Sequence, residues 1–190
     1  MKKVLLSIAL FLGGISVSNA QFEISNLSIG AGYAPSMYFG SGLGTMTSSF
    51  SAKLQYEQDE SFFFGDVILS NKDFSDDPSG TKISFMHLNA GYGRYLVGDA
   101  DEDLNVAGKV GAGLSSYSLT ADNLVEAQED ATWSMNAGVV ANFSVSDAIK
   151  LFGEAGAIFS AGTYNSQGNG TASPEFNCLV FQVGARFRFQ

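Results

Sequence analysis

The chain has 190 residues, with 10 Lys plus Arg against 19 Asp plus Glu and a formal net charge of −9. This acidic balance excludes nucleic acid as a partner, because no basic patch exists to neutralise phosphates. A single cysteine, Cys178, excludes an intramolecular disulfide.

Met1-Lys2-Lys3 is a short basic region, Val4 to Leu12 is apolar, and Ser18-Asn19-Ala20 are small residues. This is the pattern of a secretory signal peptide over residues 1–20, with cleavage expected between Ala20 and Gln21. The apolar run is shorter than the roughly 20 residues that a membrane-spanning helix needs. Residues 21–190 then make one domain. Without Lys2 and Lys3 its balance is 8 basic against 19 acidic side chains, or −11. No Cys stands directly after the cleavage point and no long apolar run follows it, so neither a lipoprotein attachment nor a helical anchor is expected.

Eight segments of the domain alternate between apolar and polar residues, the signature of β-strands with one greasy face. The first is Leu27 to Ala34, with Leu27, Ile29, Ala31 and Tyr33 opposite Ser28, Gly30 and Gly32. The second, Thr47 to Glu57, sets Phe50, Ala52, Leu54 and Tyr56 against Ser49, Ser51, Lys53 and Gln55. In the third, Phe62 to Ser70, Asp66 fixes the phase. A carboxylate facing lipid is costly, so Phe63, Gly65, Val67 and Leu69 take the outer face. The fourth, Lys82 to Leu96, points His87, Asn89, Gly91 and Gly93 inward, and the fifth, Leu104 to Ser118, does the same with Lys109, Gly111, Gly113 and Ser115. The sixth, Ala131 to Val145, opposes Trp133, Met135, Ala137, Val139, Ala141 and Phe143 to Thr132, Ser134, Asn136, Gly138 and Asn142. The seventh, Ile149 to Ser160, turns Lys150, Phe152, Glu154 and Gly156 inward. The eighth, Asn177 to Phe189, has Leu179, Phe181, Val183, Ala185, Phe187 and Phe189 on one face, with Gln182, Gly184, Arg186 and Arg188 among the residues on the other.

The connections alternate too. Pro35–Met46, Asn71–Thr81, Leu119–Asp130 and Ala161–Glu175 are long, whereas Gln58–Ser61, Val97–Asp103 and Ser146–Ala148 are shorter. Outer-membrane barrels sort their connections this way, with short periplasmic turns and longer extracellular loops. A soluble barrel would invert the facing, with apolar residues inside. Here the polar face is rich in Gly, Ser and Asn, which suits a narrow filled lumen. Tyr56, Phe63, Tyr92, Phe143, Phe187 and Phe189 fall at one set of strand ends, as an aromatic girdle would, and Trp133, Tyr33 and Phe159 supply the other. The fold class expected is all-β: an eight-stranded antiparallel up-and-down transmembrane β-barrel.

The last strand carries a more specific pattern: a polar residue, any, Gly, two of any, an apolar or aromatic residue, any, and a final aromatic. Gln182, Gly184, Phe187 and Phe189 occupy those places, with Gln190 one residue beyond. With this ending and its eight segments, the chain resembles the small eight-stranded outer-membrane barrels of Gram-negative bacteria, the group of the OmpA transmembrane domain and OmpX. The resemblance implies insertion by the barrel-assembly machinery and contact with outer-membrane lipid and lipopolysaccharide. It implies no single task, since such barrels include adhesins, structural proteins, small channels and lipid enzymes.

His87 is the only histidine. A catalytic role needs a nucleophile and an acid beside it, and no motif of the lipid A enzymes among these barrels is present. His87 is expected to make a hydrogen bond within the lumen. Neither a metal nor a cofactor site is expected, because one His without a companion Cys or carboxylate spacing makes none. The inward charges are Lys53, Asp66, Lys109, Glu154 and Arg186, with Lys150 and Arg188 nearer the rim. Buried ions must be paired. Strand adjacency suggests Glu154 with Arg186 and Asp66 with Lys53, as a packed polar plug in a lumen only wide enough for side chains. Segments such as Gly40 to Thr45 and Ser166 to Thr171 read as flexible surface loops, and Gly42-Leu43-Gly44 lacks the Lys-Ser or Lys-Thr of a phosphate loop. Asp73, Asp76 and Asp77 read as solvated carboxylates. The function expected is non-catalytic: a monomeric integral outer-membrane barrel with a structural or surface-interaction role, engaging an extracellular ligand or surface partner through its loops. A small-solute or apolar-molecule channel is the alternative, and a lipid A-modifying enzyme the third.

Overall fold

The computed structural model describes residues 23–39, 46–73, 80, 82–120, 128–160 and 177–189. A single 3-10 turn, Ile24–Asn26, leads into nine extended segments: β1 Leu27–Tyr33, β2 Ser36–Phe39, β3 Met46–Gln58, β4 Ser61–Asp73, β5 Lys82–Val97, β6 Leu104–Thr120, β7 Gln128–Ser146, β8 Ile149–Ser160 and β9 Asn177–Arg188. From β3 to β9 each pairs antiparallel with the next, while β1 and β2 both lie between β3 and β9. The sheet therefore closes on itself, and closure removes both edges.

β1 and β2 are two halves of one barrel strand, so the barrel has eight. β1 runs beside Val183 to Arg188, and β2 continues beside Asn177 to Val180. The break is at Ala34-Pro35, where proline has no N–H to give to the ladder. The chain still keeps its place, because Ala34 N–H donates to Ser49 O at 2.8 Å and Phe181 N–H donates to Pro35 O at 3.1 Å. This corrects the expectation that a long loop starts at Pro35. The strand resumes at Ser36 and runs to Phe39. Other strands also outrun their apolar alternation. β7 begins at Gln128, where Gln128, Glu129 and Asp130 pair with Leu119, Ser118 and Tyr117. A hydrogen-bonded ladder does not stop where its greasy face stops.

The turns Asp59-Glu60, Gly98–Asp103 and Asp147-Ala148 sit at the same end of the barrel as residues 23–27 and 188–189. Residues 40–45, 74–79, 121–127 and 161–176, which hold most of the long connections, lie outside the described residues, as does the leader Met1 to Ala20. No helix among the described residues is long and apolar enough to cross a membrane. The barrel strands β3 to β9 are long enough, from 12 residues in β8 to 19 in β7, and β1 with β2 spans residues 27–39 as one, against the roughly 9–11 a tilted strand requires.

Facing decides the environment. Trp133, Phe50, Met135 and Val183 are 61–69% exposed on the outer face, while Asp66, Lys109, Glu154 and Arg186 are 3–8% exposed inside. A soluble protein has no means of keeping this many large apolar side chains in water while burying its charges. A lipid-facing surface does so directly. The molecule is a transmembrane barrel.

The interior is tight. A Cβ built on Gly113 would collide with the backbone carbonyl of Leu88 and lie 2.8 Å from Asn89 Cα, both fixed parts of β5. Gly153, on the outer face, has nothing within 4 Å of its Cβ position. Gly113→Val is therefore expected to destabilise the folded barrel by about 1–3 kcal/mol through overpacking. Gly153→Ala is expected to stay within about 0.5 kcal/mol. Urea titration of protein refolded into lipid vesicles measures both.

Candidate functional site

The lumen is filled in successive layers, beginning at the end that carries the termini. There Glu57 accepts from Lys150 Nζ at 3.0 Å and from Gln55 Nε2 at 3.1 Å, and its Oε1 lies 3.5 Å from Arg186 Nη1. Arg186 Nη2 donates to Asn142 Oδ1 at 2.6 Å, and Asn142 Nδ2 donates to Asn105 Oδ1 at 2.6 Å. The β5–β6 turn folds over this layer. Asp99 O accepts from Asn105 Nδ2 at 2.8 Å, Ala100 O accepts from Lys150 Nζ at 2.5 Å, and Ala100 itself is 5% exposed. At the rim Arg188 Nη1 meets Asp101 Oδ1 at 3.0 Å.

An aromatic layer follows, made by Phe62, Phe64, Tyr95, Phe152, Ala107 and Val140. Phe62 and Tyr95 have ring centroids 5.5 Å apart. The layer also holds cations of its neighbour: Lys109 Nζ lies 4.3 Å from the Phe64 centroid and Lys53 Nζ 5.1 Å from that of Phe152. Such contacts strengthen when they are shielded from water.

The centre is a ring of alternating charge. Lys53 meets Asp66 at 3.3 Å and Glu154 at 2.5 Å, and Lys109 meets Asp66 at 2.6 Å and Glu154 at 2.6 Å. Each carboxylate thus touches both ammonium groups, and all four side chains are at most 7% exposed. Gln182 Nε2 donates a further hydrogen bond to Glu154 Oε1 at 3.2 Å. Mutual pairing of this kind is what a low-dielectric interior demands of charges that are kept there.

Beyond the ring lies a layer around His87. His87 Nε2 is 2.8 Å from Tyr38 Oη, and Nδ1 is 2.7 Å from Ser115 Oγ. Tyr38 donates to Ser70 Oγ at 3.2 Å, and Ser70, Ser49, Thr47 and Ser36 continue the hydroxyl chain. Tyr38 stacks on Phe85 at 4.1 Å, and Ile68, Ile83, Ile158, Val180, Cys178 and Ala34 pack around them. A serine beside a histidine is the beginning of a nucleophilic site. Here the third contact is a tyrosine, not a carboxylate, and His87 and Ser115 are 0% and 1% exposed.

Lys53, Asp66, Lys109 and Glu154 are brought together, with Lys53 and Asp66 as direct cross-strand neighbours. The expected Glu154–Arg186 pair is not formed. In the β8–β9 ladder Glu154 faces Gln182, and Arg186 faces Lys150. Arg186 is turned to Glu57 and Asn142 instead. His87 belongs to the hydroxyl layer and stays apart from the charged ring. Glu57 and Tyr38 were missed from sequence. Glu57 continues the inward series Ser49, Ser51, Lys53, Gln55, and Tyr38 falls in a stretch read as loop although Ser36 to Phe39 keeps the alternation. Of the assembly-signal positions, Gln182 points into the lumen and Gly184 packs 2.6 Å (at its Cβ position) from Gly32 Cα. Phe187 faces outward, and its ring lies 5.9 Å from that of Phe189.

An inside-out, closed barrel with a side-chain-filled lumen is also the fold of solved small outer-membrane barrels, to which this chain is similar in structure. Neisserial surface protein A superposes with a TM-score of 0.62 at 14% identity, over 86% of this chain and 97% of that one. OprG from Pseudomonas aeruginosa gives 0.59 at 10% identity, over 86% and 95%. Ail, the attachment invasion locus protein of Yersinia pestis, gives 0.57 at 17% identity, over 86% and 97%. No family model matches the chain, and no curated protein matches it in sequence.

Proposed function

We propose that this chain is an exported outer-membrane barrel that acts at its surface, through the segments joining its strands opposite the termini, and neither conducts nor catalyses. The observation that carries this reading is the filled lumen. Two cavities beside the charged ring have volumes of about 10 Å³ each, space for about one water. A solute crossing the barrel would have to part the ring of ion pairs and displace the aromatic layer.

The chain reaches the membrane by the leader Met1 to Ala20, is cleaved before Gln21, and is inserted as a monomer by the assembly machinery reading Gln182, Gly184, Phe187 and Phe189. The joining segments then face outward, among lipopolysaccharide. Residues 40–45, 74–79, 121–127 and 161–176 contain Asp76, Asp77, Asp122, Glu126 and Glu175 and no Lys or Arg. One structure of Ail holds the heparin analogue sucrose octasulfate. The basic residues beside these segments are Lys72 and Lys82, outnumbered by the acidic ones, so the partner class that suits this chain is a neutral or basic surface rather than a sulfated polyanion.

The alternative, a small-solute channel, draws on the charges in two layers of the lumen, around Glu57 and at the central ring. Planar-bilayer recording on refolded protein separates the two: no steady conductance is expected, and stable openings that Glu154→Gln alters would favour the channel. Protease added to intact cells is expected to cut within residues 161–176 and to spare Gly98 to Asp103; the opposite pattern would reverse the orientation. Lipid A mass spectra are expected to be unchanged by expression.

A further inference from the structure

One cavity beside the charged ring is lined by Asn89, Asn136, Gln182, Asp66, Lys109 and Glu154, among others. Its amides are unusual. Asn89 Oδ1, Gln182 Oε1 and both polar atoms of the Asn136 carboxamide are buried with no hydrogen-bond partner, and the three side chains are 3%, 2% and 9% exposed. Leaving a buried polar atom unpaired costs about 1–3 kcal/mol. Unpaired atoms scattered through a core are packing faults. Four of them on the wall of one cavity describe something that belongs inside it.

The chemistry of the wall selects the occupant. An added cation would meet Lys109, and both carboxylates are already engaged: Asp66 by Lys53 and Lys109, and Glu154 by Lys53, Lys109 and Gln182. An anion would meet the amide oxygens and the two carboxylates. A neutral molecule that both donates and accepts matches a wall that presents amide oxygens and an amide N–H together. The orientation of Gln182 follows from the network, because its Nε2 must donate to the Glu154 carboxylate and its Oε1 is thereby left as an acceptor. Asn136 offers a donor and an acceptor at once, and Asn89 offers an acceptor. The volume, about 10 Å³, is that of about one water-sized probe, and a buried water needs 2–4 polar partners.

We propose that this cavity is a binding site for one resident water molecule, held by Asn136, Asn89 and Gln182 beside the charged ring. The water accepts from Asn136 Nδ2 and donates its two hydrogens to Asn89 Oδ1 and Gln182 Oε1, tying β5, β7 and β9 together across the lumen. Its site depends on Gly111, since Asn136 Nδ2 lies 3.0 Å from where a Gly111 Cβ would stand.

A high-resolution crystal structure of the refolded protein tests this. The expected result is one ordered solvent peak within about 2.7–3.2 Å of Asn136 Nδ2 and of Asn89 Oδ1 or Gln182 Oε1. In Asn136→Leu, where an apolar side chain fills the space, the peak is expected to be lost. An empty cavity in the unaltered protein overturns the proposal. So does a cavity closed by rearranged amides that bond one another, or a peak with the short, multiple oxygen contacts of a metal ion. If Asn136→Leu does not fold, the unaltered protein decides alone. Magnetisation transfer from water to the Asn136 side-chain amide protons gives a second readout in the folded barrel. Its absence, with transfer present at exposed side chains, would also count against the site.

Discussion

Glu154→Ala is expected to cost the folded barrel about 3–5 kcal/mol, the range for breaking a buried ion pair from one side. The size follows from the geometry. Glu154 is 2.5 Å from Lys53 and 2.6 Å from Lys109, so its removal leaves two buried ammonium groups sharing Asp66. Neither can reach water without disturbing the aromatic layer over which both lie. Removing one ammonium at the same time restores the balance, and Glu154→Leu with Lys109→Met is expected to recover much of the loss. A double-mutant cycle in unfolding free energy gives the coupling. Arg186 is the control. Glu154 faces Gln182, and Arg186 stands four residues further along β9, an offset of about 13 Å at the rise of a strand. Glu154 and Arg186 substitutions are therefore expected to add within about 0.5 kcal/mol. Additivity for Glu154 with Lys109, or strong coupling for Glu154 with Arg186, would contradict the charged ring.

Val139→Arg is expected to cost about 2–4 kcal/mol, the penalty for a cation on the lipid face of a barrel near the midplane. Val139 is 49% exposed and lies between Trp133 and Phe143 on the outer face of β7. Its cross-strand neighbours Gly108 and Ala155 offer it no partner for a charge. A guanidinium there must bend towards the headgroups or draw water into the hydrocarbon. Asn136→Ala, three residues away on the lumen face of the same strand, is expected to cost well below this. Equal costs, or the reverse order, would mean that the apolar face is packed inside.

Much of the barrel was legible because a strand has a period of two, and a lumen and a bilayer impose opposite chemistry on its faces. Asp66 alone sufficed to phase β4, and the inward facing of Lys53, Lys109, His87, Glu154 and Arg186 follows from the same alternation. Which of these touch is a different question. It depends on the stagger between strands, and alternation is blind to a slip of two residues because the facing is unchanged. Glu154 and Arg186 were expected to meet on adjacent strands and instead sit four residues out of step. Lys53 and Glu154 meet across the lumen from β3 and β8, a contact that only closure creates. Tyr38 was hidden for another reason. Pro35 reads as the start of a loop, yet a single lost ladder bond does not end a strand held on both sides by β3 and β9. The resident water site was invisible in sequence, since Asn89, Asn136 and Gln182 share a wall only once the ring has closed.

The apolar face of the barrel is its lipid face, and the chain carries its own reporter of that environment. Trp133 is the single tryptophan, on the outer face of β7 and 69% exposed. Its fluorescence, in protein refolded into vesicles whose acyl chains carry bromine, is expected to be strongly quenched. Acrylamide added to the water is expected to have little effect. Strong quenching by acrylamide with none from the brominated chains would contradict a barrel that turns its aromatic residues to the membrane.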